Sequence, residues 1–331
     1  MYDVTEEVLW ADKLEVSLLP RTINLEFTNR CNLRCDFCIN HQPTFREKGD
    51  LPEHILDNLI IELPPSTEIS ICGVGEPTLH PKFSRYLEKL SSHFTNLSLV
   101  TNGQNLTPAI IDSVIASNIN KVIVSLDYFS EETYKMRKGG DLEHVCQGIK
   151  ELFAARKNIK NKLSIQINML AQKNQESEIE RAISFFNQFL GPKDCIYTRS
   201  IKTLAGQVKV STMTEDSWLG LEKFKEDLSK RIDTSKFVVE NWCRLLKLKG
   251  PIEKRKACRH PYKYCMILWD GTVVGCCIDF NGHLKMGNLN NESLYEIWTG
   301  ERYNRFRRAM EKLDFRKYKL CESCEEWYKC I

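Results

Sequence analysis

The sequence has no run approaching the roughly eighteen consecutive apolar residues of a membrane-crossing helix. Its N-terminal M-Y-D-V-T-E-E also lacks the basic-then-apolar order of a secretory signal. A cytoplasmic protein without a membrane partner is the expectation. Nor is there an excess of either charge: 47 basic against 44 acidic residues leave a net charge of +3, too little to argue for nucleic acid. One locally basic run, R-L-L-K-L-K-G-P-I-E-K-R-K at 244–256, reads as a solvated connector. With 42% hydrophobic and 27% charged residues over 331 positions, the composition excludes a disordered chain and fits one large domain or two modest ones.

Cysteine is what the chain has in plenty. Disulfides are rare in the cytosol, so the clustering of the fourteen cysteines carries the information. Cys31, Cys35 and Cys38 fall in C-N-L-R-C-D-F-C, directly behind the β-like run T-I-N-L-E-F-T. A second group comprises Cys258, Cys265, Cys276, Cys277, Cys321, Cys324 and Cys330. Cys72, Cys146, Cys195 and Cys243 stand alone; Cys146 shares a helical face with Leu142, Val145, Ile149, Leu152 and Phe153 and reads as a small buried hydrophobe, as does Cys72.

From residue 22 to about 200, short apolar runs alternate with helix-period segments, the pattern of a parallel sheet with crossover helices. T-I-N-L-E-F-T, E-I-S-I-C, L-S-L-V-T, K-V-I-V-S-L and L-S-I-Q-I-N-M-L are expected strands, with a sixth near C-I-Y-T. Helices are expected around Ile55–Leu63, Leu106–Ile115 and Ile179–Leu190. Periodicity alone leaves open whether the sheet is doubly wound or a partial barrel. In both, function lies at the carboxyl ends of the strands. There the first strand runs into the cysteine cluster, the second into C-G-V-G-E-P, the third into T-N-G and the fourth into S-L-D-Y. Four such turns on one face point to a shared ligand.

Three close thiols suggest a metal that is one ligand short. Zinc with His41 as the fourth ligand is one reading. A 4Fe-4S cluster with one open iron is another. Read with the neighbouring turns, C-x3-C-x-φ-C with Phe37 as the aromatic resembles the radical S-adenosylmethionine (SAM) superfamily. The resemblance implies that Cys31, Cys35 and Cys38 hold three irons of a 4Fe-4S cluster, that SAM chelates the fourth, and that an electron from a flavodoxin- or ferredoxin-type donor releases a 5′-deoxyadenosyl radical. It further implies that Gly75 and Glu76 of V-G-E-P receive the methionine ammonium through backbone and acid, although Val74 stands where the family motif has glycine. Asn102, in T-N-G, and Ser125 are expected at the SAM ribose or carboxylate, Arg137 at the carboxylate, and Phe37 beside the adenine.

Near the C-terminus, M-I-L-W and T-V-V-G-C flank D-G, a hairpin signal. The stretch L-Y-E-I-W-T-G-E-R-Y-N-R-F-R-R-A-M reads as one helix leading to C-x2-C. This layout gathers thiols two-sidedly and suits zinc, but it also resembles the SPASM and twitch extensions of radical SAM enzymes. That likeness implies one auxiliary 4Fe-4S cluster on Cys258, Cys276, Cys321 and Cys324, with Cys330 an alternate ligand and Cys265 and Cys277 candidate hydrogen-atom donors. The fold expectation is a partial (β/α)6 barrel with a small C-terminal α+β domain. Its boundaries are an N-terminal extension at 1–21, the barrel at 22–200, a bridge at 201–257 and the auxiliary domain at 258–331.

Reaction and substrate stay open at this level. Dehydrogenation or epimerisation of a small hydroxylated or sugar-like molecule is the leading expectation, because about thirty residues before Cys31 are few for a peptide-recognition domain. Epimerisation or cross-linking of a ribosomally made peptide is the alternative, and a non-enzymatic iron-sulfur or zinc module is the opposing class.

Overall fold

A computed structural model describes residues 16–41, 46–157, 163–170, 175–199, 223–239 and 257–324. Its strands are β1 (Thr22–Leu25), β2 (Glu68–Ile71), β3 (Asn96–Thr101), β4 (Lys121–Asp127), β5 (Ser164–Leu170), β6 (Cys195–Arg199), β7 (Phe237–Val239), β8 (Tyr264–Ile267), β9 (Thr272–Val274) and β10 (Lys285–Asn288). They form one ten-stranded sheet in the order β10-β9-β8-β1-β2-β3-β4-β5-β6-β7. Pairing is parallel from β8 through to β7 and antiparallel in β8-β9-β10. Six expected strands are thus present, and β7 adds a seventh inside the expected bridge.

Alternation along these strands sorts side chains onto two faces. Ile23, Leu25, Ile69, Ile71, Leu97, Leu99, Val122, Val124, Ile165, Ile167 and Ile196 are buried on one of them. Helices α1 (Glu53–Glu62), α2 (Phe83–His93), α3 (Pro108–Ala116), α4 (Glu131–Lys138), α5 (Leu142–Arg156) and α6 (Glu176–Phe186) connect the strands. Their apolar stripes join the same core through Ile55, Leu59, Tyr86, Leu87, Val114, Ile149, Phe153, Ile183 and Phe186. Each such side chain contributes about 1.5–3 kcal/mol of transfer free energy. The helices also touch in sequence, α1 on α2, α2 on α3, α3 on α5 and α4 on α5. One helical layer on one face of a twisted parallel sheet is the wall of a partial barrel rather than a doubly wound fold, and it leaves the opposite face as an interior. Among the described residues no helix is long and apolar enough to cross a membrane.

The C-terminal segment is part of the same sheet. After α7 (His260–Lys263), β8 lies parallel to β1 with Thr22 opposite Tyr264 and Leu25 opposite Ile267. The D-G hairpin forms as expected, with Gly271 at φ 81°, a conformation suited to glycine. The single helix expected across 294–310 is broken instead at Gly300 into α8 (Leu294–Thr299) and α9 (Glu301–Glu311). Gly300 is extended, and a Cβ there would meet the Glu296 carbonyl oxygen at 2.6 Å, so the sharp corner needs glycine. The helix expected over S-W-L-G-L-E-K-F-K-E-D-L is seen at residues 223–229; its start lies outside the described residues, as do the basic run at 244–256 and Cys243.

The corner is filled by Arg307, which is buried between the rings of Trp298 and Tyr303, 4.4 Å from each centroid. Its Nε donates to Pro261 O at 2.8 Å and its Nη1 to Trp298 O at 2.7 Å. Hydrogen bonds to a charged group contribute about 1.5–3 kcal/mol each. Arg307→Met is expected to lower stability by about 3 kcal/mol in chemical denaturation, because it leaves two buried carbonyls unpaired.

Candidate active site

The cysteine loop leaves β1 at the carboxyl end of the sheet and is held by buried polar side chains. Asn29 donates through Nδ2 to Glu47 O at 2.7 Å and accepts from Gly49 N at 2.9 Å. Asn40 donates through Nδ2 to Asn29 O at 3.0 Å and to Val74 O at 3.1 Å, tying the end of the loop to the turn after β2. Within the loop, Cys38 N donates to Cys35 O at 3.1 Å. Two thiols accept hydrogen bonds, Cys38 from Asn40 N at 3.4 Å and Cys31 from Asn102 Nδ2 at 3.6 Å. All three are partly buried, and burial pushes them up, Cys35 to about 12. Thiolates in such a loop are favoured once a bound metal supplies positive charge. His41 Nε2 donates to Leu33 O at 3.0 Å, which holds the ring against the loop between Cys31 and Cys35.

The turn after β2 departs from expectation in an informative way. A Cβ on Gly75 would lie 2.2 Å from Thr28 O and 2.7 Å from Arg30 O, so this glycine permits close packing on the chain's own cysteine loop. Glu76 N donates to Arg30 O at 2.8 Å. The Glu76 carboxylate is 1% exposed. It accepts from Thr78 Oγ1 and Thr101 Oγ1 at 2.7 Å and from Thr78 N at 3.2 Å on one oxygen, and from Asn102 N at 2.6 Å on the other. Burial pushes this carboxyl up against the pull of those donors. Of the backbone and acid expected to receive an ammonium group, the acid is thus also engaged in fixing T-N-G, three of its four bonds falling on one oxygen and a single one on the other. Asn102, held there, also reaches Asn32 Oδ1 at 2.8 Å and so bridges two of the turns read from the sequence.

At the end of β4, Ser125 faces the interior, and the register shifts before Asp127, whose φ of 68° re-aims its side chain. Asp127 Oδ2 accepts from Lys138 Nζ at 2.8 Å, and Oδ1 faces Arg199 Nη2 at 3.5 Å. Phe37 packs beside Tyr128, ring centroids 6.4 Å apart. The side chain of Arg137 lies outside the described residues. Its neighbour Lys138, which the sequence reading passed over, is the buried cation of this region.

Glu26 was also missed. It is 0% exposed, pairs with Arg46 Nη2 at 2.8 Å, and accepts from Val74 N at 3.4 Å and Trp269 N at 3.1 Å. Arg46 Nε donates to Phe280 O at 2.5 Å. One carboxylate thus joins the first strand, the turn after the second and the C-terminal hairpin. The only signal for it was an acid on the polar side of a strand pattern.

In the C-terminal unit, Cys258, Cys276, Cys321 and Cys324 line one small apolar cavity with His260 and Phe306. Cys321 sits on α10 (Lys319–Glu322), and Cys324 N donates to Cys321 O at 3.2 Å. Cys330 lies outside the described residues. Cys277 stands beside the cavity, its Sγ 3.9 Å from His260 Nε2, and packs with Tyr264, Met266 and Leu268 on the face of β8 that continues the barrel interior. A hydrogen bond with Cys277, aided by burial, holds the Cys276 thiol well above its usual range. Cys265 corrects the sequence expectation: it is 0% exposed, opposite Ile23 on the helix-covered face of β8, and a thiol sealed in the core has no path to a substrate.

A partial barrel with three cysteines and three engaged turns at its mouth is joined to a unit in which four more thiols line one cavity, a donor set that suits sulfur-ligated iron. The radical SAM superfamily model matches residues 25–186, and the model of an iron-sulfur cluster-binding domain, SPASM, matches residues 258–325. The chain belongs to the radical SAM superfamily and carries a C-terminal SPASM-type domain, and with these it binds 4Fe-4S clusters and SAM. It is 24% identical over 302 residues to the tungsten-containing aldehyde ferredoxin oxidoreductase cofactor-modifying protein of Pyrococcus furiosus, covering 86% of this chain and 82% of that one. It is 24% identical over 328 residues to the AdoMet-dependent heme synthase of Methanosarcina barkeri, covering 92% and 88%. Streptococcus suis SuiB bound to its precursor peptide SuiA shares the fold, with a TM-score of 0.70 at 17% identity over 88% of this chain and 67% of SuiB.

Because both Glu76 oxygens accept hydrogen bonds, Glu76→Gln turns an amide donor toward existing donors. The expected outcome is a loss of about 1–3 kcal/mol and weaker iron retention by the first cluster, read by denaturation and iron analysis.

Proposed function

We propose that this radical SAM enzyme removes a hydrogen atom from a carbon of a small, polar, hydroxylated molecule, with net dehydrogenation as the outcome. The observation that carries the reading is the barrel interior. Strand register puts Asn24, Ser70, Ser98, Ser125, Gln166, Asn168, Tyr197 and Arg199 on the face opposite the helices. Most are partly exposed, while their strand neighbours are buried. Gln166 Nε2 donates to Asn168 Oδ1 at 2.6 Å, which orients that amide pair toward the cavity side. A wall rich in donors and acceptors favours a hydroxylated ligand over an apolar one, since such a ligand satisfies groups that an apolar ligand would desolvate.

The cluster on Cys31, Cys35 and Cys38 with SAM would supply a 5′-deoxyadenosyl radical when bound, and the group on Cys258, Cys276, Cys321 and Cys324 an electron store. The chain's own residues do the rest. Gly75 and Glu76 fix the turns around the loop, Asn102 and Ser125 present polar atoms at the strand ends, and Phe37 with Tyr128 closes an aromatic side of the mouth. Arg137 belongs to this SAM-facing set in our reading. Cys277, on the interior side of β8, is the residue that would return a hydrogen atom if the outcome were epimerisation. The two relatives matched over most of their length are named for cofactor modification and heme synthesis, which supports a small-molecule substrate. SuiB, solved with a precursor peptide, supports the alternative of a peptide substrate. We infer a cytoplasmic setting and a flavodoxin or ferredoxin as electron donor.

Anaerobically reconstituted protein given SAM and dithionite is expected to form 5′-deoxyadenosine, faster when a protease-treated small-molecule extract is added. Stimulation that protease abolishes would overturn the small-molecule reading. No 5′-deoxyadenosine from protein with an intact first cluster would overturn the enzyme reading. In deuterated medium, dehydrogenation leaves the product carbon free of solvent deuterium, whereas label that enters there and is lost in Cys277→Ala selects epimerisation.

Cluster number has its own test. About eight irons per chain are expected in the whole protein and about four in Cys258→Ala, with 5′-deoxyadenosine formation retained in that variant.

A further inference from the structure

Strand β6 ends on the interior wall with Arg199, and the register of three strands fixes its surroundings. Ser125 of β4 stands opposite Asn168 of β5, and Asn168 opposite Tyr197 of β6, so these side chains form one row across the wall. Arg199 lies two residues further along β6 on the same face, about 7 Å nearer the mouth. The other side chains named on that wall are neutral, and the guanidinium alone is charged. Asn168 is 6% exposed; its Oδ1 is taken by Gln166 Nε2 at 2.6 Å, while its amide nitrogen has no acceptor among the described residues.

Arg199 is likewise short of partners. Its side chain is 34% exposed, and among the described residues its one ion pair runs from Nη2 to Asp127 Oδ1 at 3.5 Å, long for a hydrogen bond. Its Nε is buried without an acceptor among the described residues, and Asp127 Oδ1 accepts no hydrogen bond from them. The carboxylate has a nearer partner. Lys138, 1% exposed, brings Nζ to Asp127 Oδ2 at 2.8 Å and turns its other hydrogens to Ser125 O at 2.5 Å and Leu126 O at 3.3 Å. One carboxylate thus meets two cations, the buried one more closely. Asp127 holds Arg199 in place without neutralising it.

We propose that Arg199 is a specificity-determining residue that receives an anionic group, carboxylate or phosphate, carried by the hydroxylated substrate. This rests on the small-molecule reading above and names the charge that molecule bears. A planar guanidinium with unfilled N–H groups matches two oxygens of one anion, while the Asn168 nitrogen in the row beneath is placed to donate to a hydroxyl oxygen. The same wall disfavours uncharged ligands. A neutral molecule that displaced water from Arg199 would strip its solvation and return no counter-charge, so the site selects acids over neutral sugars.

The probe is the protease-treated small-molecule extract, passed at neutral pH over an anion-exchange resin and assayed for stimulation of 5′-deoxyadenosine formation by the reconstituted full chain. The stimulating activity is expected to bind the resin and elute with salt. Its loss on phosphatase treatment assigns a phosphate, and its survival a carboxylate. In Arg199→Gln the half-saturating amount of the eluted fraction is expected to rise about tenfold to a hundredfold, while SAM binding measured by equilibrium dialysis stays at the parent value. Arg199→Lys, which keeps the charge but not the planar fork, is expected to fall between the two. Activity that passes the resin unretained would overturn the proposal, as would a response of Arg199→Gln equal to the parent's. Weakened SAM binding with an unchanged response to the fraction would assign the guanidinium to the SAM carboxylate and overturn it too. If Arg199→Gln fails to hold iron, Arg199→Lys and the resin decide. An extract that stimulates nothing in the parent would instead remove the small-molecule reading beneath it.

Discussion

Three segments at the mouth of this barrel meet on a carboxylate that water does not reach. Glu26 sits one residue beyond β1, fully buried, and divides its two oxygens among Arg46, the Val74 amide and the Trp269 amide. These partners come from the end of the cysteine loop, the turn after β2 and the C-terminal hairpin. Breaking one side of a buried pair typically costs about 3–5 kcal/mol, because the surviving charge is stranded. The cysteine loop and the unit that gathers the second thiol group are therefore positioned by the same side chain.

Charge at the site is arranged by depth. Glu76 is spent internally on Thr78, Thr101 and Asn102 and fixes one turn to the next. Asp127 is shared between the buried Lys138 and the partly exposed Arg199, and so ties the end of β4 to the end of α4 and to β6. The acids act as struts. Such preorganised polar groups keep their orientation at no further cost once water is excluded.

The legible parts of this protein were those encoded locally. C-x3-C-x-φ-C, the turn motifs and the apolar runs of β1 to β5 are contiguous text, and the strands and turns appear where that text places them. The C-terminal C-x2-C and the D-G hairpin were readable for the same reason. Less legible was anything decided by a distant partner. Glu26 finds Trp269 across 243 positions, and Lys138 finds Asp127 only because β4 bulges. The break at Gly300 escaped periodicity because α8 and α9 each keep a buried stripe, through Ile297 and Trp298 and through Tyr303, Phe306 and Met310, and a corner between them does not disturb either. Cys265 and Cys277 look alike in sequence; the pairing of β8 with β1 sends Cys265 into the core, while Cys277, beyond β9, packs with Tyr264, Met266 and Leu268 on the opposite face.

That pairing also governs how the chain must come together during synthesis. β1 is an inner strand of the finished sheet, yet one of its neighbours, β8, begins at Tyr264. Until the last fifth of the polypeptide emerges from the ribosome, one edge of β1 stays open, with the row of unpaired amides and carbonyls that invites strand addition by other chains. So long-range a contact closes late, after its loop entropy has been met by the rest of the barrel. Before that moment Glu26 also lacks the Trp269 amide, so the buried carboxylate between the cysteine loop and the turn after β2 gains its last partner only as β8 closes on β1.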